Sequence, residues 1–312
     1  MRNNKLLTAS FIALLGLIII ELFVYANYNK LTEDEVSISF VVTGDNLDAW
    51  ENMKSGAQTA ALDRNCQVTF LNCPIAAGAD GEIEMIERQL AEGADYVVIA
   101  SGFYDEVKEY VEDEKLQSKV YFAKNGPYGL KNGVIADDYS LGKDYAAFIM
   151  DNSNDKNLLV LYTAENINND KIIEGLSDGF ENTDVTIEVQ KLTADDSTIT
   201  FFITKAIAEK RYDGAIILDS AVLDDAVNVE GLIDSSFNIY GVDDRQAAVY
   251  YLDSDLIKAL ACKDDYTIGF MAINQVLSKG KKELPKVPLY YIVEREDIYS
   301  EQYEKVLFPF AK

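Results

Sequence analysis

The sequence predicts an α/β protein with two doubly wound, parallel-sheet lobes behind one N-terminal transmembrane helix. Three observations carry this. Short β-branched runs alternate with stretches of helical spacing, 312 residues are long for one compact domain, and a single apolar segment precedes the first predicted strand.

The apolar segment covers residues 6–26 (LLTASFIALLGLIIIELFVYA). As a helix it would be about 31 Å long, which matches the hydrocarbon core of a bilayer. Arg2 and Lys5 lie in a tip of residues 1–5, and the linker 27–35 soon turns acidic. That basic flank places the N-terminus inside and the remaining chain outside. Glu21 is unfavourable in lipid but sits near the outer end, within reach of the interface. The alternative is a signal peptide cleaved near Ala26, because Val24-Tyr25-Ala26 resembles a small-residue cleavage site. Both readings put the folded part on the extracytoplasmic face, either single-pass anchored or secreted to the periplasm.

Residues 36–44 (VSISFVVTG) form a compact β-branched run, read as a buried parallel strand. Helical spacing follows over 48–64. A strand is expected over 66–72, a helix over 80–92 with Ile83, Ile86 and Leu90 on one face, and a strand over 96–100. A helix over 104–115 and a strand over 120–123 complete the first series. The second series has strands over 158–162, 185–191, 214–219 and 238–242, with helices over 170–180 and 198–211. Such alternation implies βαβ units and a sheet covered on both faces. The halves repeat an architecture without an obvious repeat in sequence. No Pro-rich or low-complexity tether divides them, so short crossings are expected.

In open parallel sheets ligands bind beyond the carboxyl ends of the strands. The loops singled out in this way begin near Thr43, Asn72, Ser101, Lys124, Thr163, Asp219 and Asp243. Two such sheets facing one another form a cleft that closes by hinge motion.

Composition narrows the function classes. Fifty-three acidic residues against 28 basic ones give a net charge of −25, which repels nucleic acid and anionic head groups. The chain has no histidine, which removes the usual general base near neutral pH and the commonest metal ligand. Paired acids such as Asp195-Asp196 and Asp264-Asp265 are expected by chance in so acidic a chain, and adjacent side chains point apart. There is no phosphate loop, GxGxxG or nucleophile elbow, so no enzyme and no cofactor is expected. Cys66 and Cys73 flank one predicted strand and lie too far apart for a bridge.

The order of local patterns resembles the type I periplasmic binding proteins, the ribose-binding-like sugar receptors. The patterns are FVVTGDNLDAWENMKSGAQTAA, QLAEGADYVVIAS, VIADDYSLGKDYAAFIM, IIEGLSDGF, YDGAIILDS, IYGVDD and TIGFMAINQVLSKGK, in register over residues 36–312. The resemblance implies a periplasmic binding protein-like I fold in a membrane-anchored member. Three hinge crossovers are expected near residues 136–138, 262–264 and 287–291. Lobe 1 then takes 36–137 plus 264–288, and lobe 2 takes 138–263 plus 289–312.

The resemblance also implies ligand positions. Trp50 stands where family aromatics stack on the sugar, with Ala49 beside it. Lys124 and Asn125 replace the family's acid and arginine after the fourth strand, and Ile172 replaces an arginine. Asp219 replaces an asparagine, Asp243 keeps the family's aspartate, and Lys263 replaces a glutamine. Asn46, Asp138 and Asn168 complete the expected ligand-binding set, although capping and turn roles account for Asp138 and Asn168 comparably well. These replacements point away from ribose itself. A sugar still needs a π face for its C–H side and charged or amide groups for its hydroxyls.

Asp151, Ser153, Asp155 and Asn157 have the alternating spacing of a calcium loop found in certain glucose receptors of the wider family. Lys156 and Leu159 replace two of its expected residues, so no metal is predicted. The expected function is a solute-binding protein that closes on a small polar ligand, most simply a monosaccharide, and presents the closed form to an ABC permease or a membrane sensor kinase. The alternative is a ligand-free interaction module that retains the fold.

Overall fold

The computed structural model describes residues 35–308 apart from 45–46, 164–166, 194–195, 233–234 and 280–286, together with positions 16, 18, 19 and 21. Asn46, the tip 1–5 and, those four positions aside, the segment 6–26 lie outside the described residues, as does the linker apart from Glu35. Among the described residues no helix is long and apolar enough to cross a membrane.

The first sheet contains β1 (Ser37–Thr43), β2 (Gln67–Cys73), β3 (Tyr96–Ala100), β4 (Val120–Lys124) and β5 (Gly133–Ile135), all parallel in the order β2-β1-β3-β4-β5. Helices α1 (Glu51–Arg64), α2 (Gly78–Ala91) and α3 (Tyr104–Asp113) connect its strands. Period-two alternation makes β1 serve two cores. Ile38, Phe40 and Val42 pack on one face of the sheet, while Val41 packs on the other with Ile86, Val107 and Val111.

After β5 the chain enters α4 (Asp138–Asn152) and a second sheet. Its strands are β6 (Asn157–Tyr162), β7 (Thr186–Lys191), β8 (Gly214–Ile217), β9 (Asn238–Val242), β10 (Ala259–Lys263) and β11 (Tyr290–Glu294), in the order β11-β10-β9-β8-β6-β7. Helices α5 (Ile167–Phe180), α6 (Asp196–Glu209), α7 (Ser220–Val227) and α8 (Gln246–Asp253) connect β6 through β10. The run β7-β6-β8-β9-β10 repeats the order of the first sheet. The second sheet differs from the all-parallel expectation at β11, which pairs antiparallel with β10. The chain returns to this lobe near the carboxyl end of β10, so the strand it adds must run back in the opposite sense.

Between those strands, α9 (Asp265–Ser278) leaves the second sheet and packs beside α1 in the first lobe. The chain therefore passes between the lobes after β5, after β10 and before β11. The first two passages share a pattern, ADDYSLG at 136–142 and KDDYTIG at 263–269. In each, the first aspartate caps the helix that follows. Asp137 accepts from Ser140 N at 3.0 Å, and Asp264 accepts from Thr267 N at 2.9 Å. In each, the glycine lets that helix touch a neighbouring helix backbone. A Cβ at Gly142 would lie 2.2 Å from the Ile172 carbonyl oxygen on α5, and one at Gly269 would lie 2.1 Å from that of Met53 on α1. The last helix, α10 (Glu301–Leu307), follows β11.

Candidate functional site

The carboxyl ends of the two sheets face a common cleft of about 680 Å³. One wall comes from the first lobe: Thr43 at the end of β1, Ser101 to Glu106 after β3, and Lys124 and Asn125 after β4. The other comes from Asn168, Asn169 and Ile172 on α5, Asp219 after β8, Asp243 and Asp244 after β9, and Lys263 ending β10.

Lys124 is the central charge. Its backbone is left-handed, with φ of 65°, a conformation that costs a non-glycine residue energy and persists where surroundings fix it. The ammonium pairs with Asp244 in the opposite lobe and with Asp265 at the start of α9, 2.8 Å away. Burial opposes its charge, but the two carboxylates outweigh that and raise its pKa. Asp265 is 3% exposed in its side chain. Burial first, then the Asp244 carboxylate, pushes its carboxyl up to about 7 against the pull of Lys124 and Lys263.

The equivalent aspartate of the other passage, Asp138, is buried among comparable partners. It accepts from Asn168 Nδ2 and pairs with Lys263 Nζ at 2.8 Å. Each DDY segment thus supplies a capping aspartate and a second one that meets a strand-end lysine.

Asp243 lies at the cleft, yet its carboxylate is held by Arg245 Nε at 3.0 Å and Nη2 at 2.7 Å. Arg245 also grips Asp224 through both terminal nitrogens, at 3.0 and 2.9 Å. Burial raises the Asp243 carboxyl despite the arginine. Asp219 accepts from Thr163 N and so ties β6 to β8. Asn125 donates to the Ser101 carbonyl at 2.9 Å, which ties the loop after β4 to the end of β3.

Of the expected ligand positions, Lys124, Asn125, Asn168, Asp219, Asp243 and Lys263 line the cleft, and Asp138 lies directly behind two of them. Trp50 does not line it. The 3-10 turn Leu47–Trp50 rolls the ring into the core of the first lobe, and the Lys124 ammonium sits 4.9 Å from its centroid. Lys124 thus packs its ammonium against the ring expected to stack on a sugar.

The aromatic wall comes instead from Phe103, half-buried, and Tyr104, both in the loop after β3. Burial, with Asp105 and Glu112, pushes the Tyr104 hydroxyl up to about 12, so it stays a neutral donor; it has no partner among the described residues. The pair was visible as FY directly after a strand whose loop was already singled out. Glu82 also escaped notice. Fully buried on α2, it accepts from Thr43 Oγ1, Ser101 Oγ and Gly102 N, and so fixes the loops after β1 and β3. Its signal was a carboxylate on the same helical face as Ile86 and Leu90.

Of the four positions with calcium-loop spacing, Asp155 is engaged internally, accepting from Asn238 at 2.9 Å and Tyr240 at 2.6 Å. Among the described residues no cluster suits a metal ion.

Solved structures share this architecture. A carbohydrate transporter solute-binding protein from Agrobacterium radiobacter, in complex with D-arabinose, superposes with a TM-score of 0.72 at 17% identity, covering 88% of this chain and 100% of that one. An ABC transporter solute-binding protein from Agrobacterium vitis with bound D-fucose gives 0.72 at 15% identity, covering 87% and 100%. A chain of a XylFII–LytSN complex gives 0.67 at 14% identity, covering 84% and 99%. No protein of curated function matches in sequence. The model of the periplasmic binding protein domain matches residues 38–283, through both lobes and all but the last passage between them, and the chain belongs to that family.

Proposed function

We propose that this protein is an extracytoplasmic solute receptor that closes its lobes on a small polar ligand, a monosaccharide, and catalyses no reaction. The observation that carries the reading is the cleft. Phe103 and Tyr104 offer an aromatic wall on one side, and amides, carboxylates and a lysine face it from the other lobe. That combination suits a sugar, whose C–H face packs on a ring while its hydroxyls need convergent polar groups. The volume falls within the range of roughly 300–1,000 Å³ typical of small-molecule sites. The sugars bound in the two Agrobacterium proteins support the same chemistry.

Residues 6–26 anchor the receptor, with lobe 1 formed by 36–137 plus 264–288 and lobe 2 by 138–263 plus 289–312. The closed form acts through a membrane partner, an ABC permease or a sensor kinase. The fold likeness to a chain solved within a two-protein complex supports such an output. Titration calorimetry against pentoses and hexoses tests the proposal. Micromolar or tighter heat from at least one sugar is expected, and silence from all of them with a folded protein would sink it. A ligand-free interaction module is the second reading, favoured by one observation: Lys124 and Asp244 bridge the two lobes directly.

A further inference from the structure

At the opposite pole of the first lobe lies a second concavity, of about 750 Å³, lined by residues at the amino ends of its strands. Lys119 precedes β4, Lys131 precedes β5 and Lys279 follows α9; all three are exposed. None has a carboxylate partner among the described residues. Lys54, Lys108, Lys156, Lys171, Lys205 and Lys258, by contrast, each pair with an acid. Tyr96 and Tyr121 make the floor, edge to face at 6.2 Å, and Ser118, Gln117 and Asn132 add polar groups. The acid at the rim, Asp95, accepts from Ser37 N at 2.9 Å. The groove is therefore a local cationic site in a strongly anionic molecule.

Its position says what it meets. Asp95 and Tyr96 flank the first residues of β1, the point at which the chain enters the fold from its N-terminal segment. Lys119 and the cleft residue Lys124 are separated by the length of β4, about 16 Å along the strand. The groove thus faces the end from which the chain emerges, away from the cleft. The linker 27–35 spans at most about 30 Å, so an anchored segment 6–26 keeps this pole within that distance of the bilayer surface.

We infer that the Lys119, Lys131 and Lys279 groove binds the phosphate of anionic phospholipid headgroups and seats the first lobe on the membrane. The inference rests on the proposed anchor. The net charge of −25 repels an anionic surface at long range, but that repulsion is screened beyond about 8 Å at physiological salt, and within that distance the local lysines dominate. Each lysine near such a surface contributes about fivefold to partitioning.

The test is acylation footprinting of the full chain in nanodiscs of phosphatidylcholine alone or with roughly 30% phosphatidylglycerol, which sets the surface potential. Co-elution with either disc reports the anchor separately from the groove. Labelling of the three lysines is expected to be at least about threefold slower in the anionic disc, and to recover in about 0.5 M NaCl, where charge attraction is screened. A chain carrying K119E, K131E and K279E should show no dependence of amide exchange at 94–96 and 117–121 on disc composition. Equal labelling in both discs overturns the inference. Slow labelling in both discs also overturns it, because the groove would then be covered by the chain itself, such as its acidic linker. Should the chain enter neither disc, flotation with phosphatidylglycerol vesicles decides, and absence of salt-sensitive binding overturns the groove as well as the anchor.

Discussion

Lys124 carries its ammonium across the cleft to Asp244, so a strand end of one lobe is ion-paired with a loop of the other. The same ammonium holds Asp265, and no more than about a fifth of any of the three side chains is exposed. Removing one partner of such a buried arrangement leaves uncompensated charge. Lys124→Met is expected to cost about 3–5 kcal/mol in urea unfolding. It should also enlarge the radius of gyration in X-ray scattering as the lobes part. An unchanged radius with a loss below about 1 kcal/mol, the worth of an exposed pair, would deny the bridge any role in closure.

The buried carboxyls set a pH dependence. Burial raises Asp265 up to about 7, and raises Asp243 and Asp264 above the ordinary carboxylate range. A group held above its unfolded value stabilises the fold fully below that unfolded value, and the contribution is lost as pH rises through the folded one. Stability should therefore fall between about pH 4 and pH 7. Asp265→Asn, which keeps an oxygen for Lys124, should flatten the profile in thermal melts. A profile of that variant parallel to the unsubstituted protein's would contradict this assignment.

Phe103 is the more exposed of the two rings lining the cleft, whereas Trp50 lies under Lys124. Phe103→Ala should weaken binding of the best sugar by about 10- to 100-fold, the usual cost of an aromatic anchor. Its unfolding midpoint should scarcely move. Equal affinity by calorimetry would return the stacking role to another residue.

Gly142→Ala tests the helix contact beside the first passage. Its new methyl would meet the Ile172 carbonyl oxygen at 2.2 Å, and backbone cannot yield as a flexible side chain does. A loss of about 1–3 kcal/mol or more is expected in denaturant unfolding. A neutral result would show that α4 and α5 slide freely past one another.

Much of the fold could be read in advance because the signal was local. The run FVV in β1 and the alternating helices required only periodicity, and the cleft followed from where parallel strands end. β11 was hidden because its direction depends on where the chain re-enters the lobe, which no local pattern records. The direction of the Trp50 ring was hidden for a similar reason. Its position after β1 was right, but one 3-10 turn decided which way the ring faced. Asp264 and Asp265 looked like chance neighbours until the fold put them where Asp137 and Asp138 stand in the other passage. Phe103 lay in a loop already marked, yet nothing in the string distinguishes a ring that lines a cleft from one that covers a helix start.

The two glycine contacts make each lobe a rigid lever arm. Gly142 fastens the first helix after one passage to α5, and Gly269 fastens the first helix after the other to α1. Torsion in the short segments between them is then not absorbed by sliding helices. A small rotation at the fulcrum is delivered as a large displacement at the far edge of the lobe. On the proposed function, occupancy is thus legible to a partner at the outer rim, without contact with the ligand.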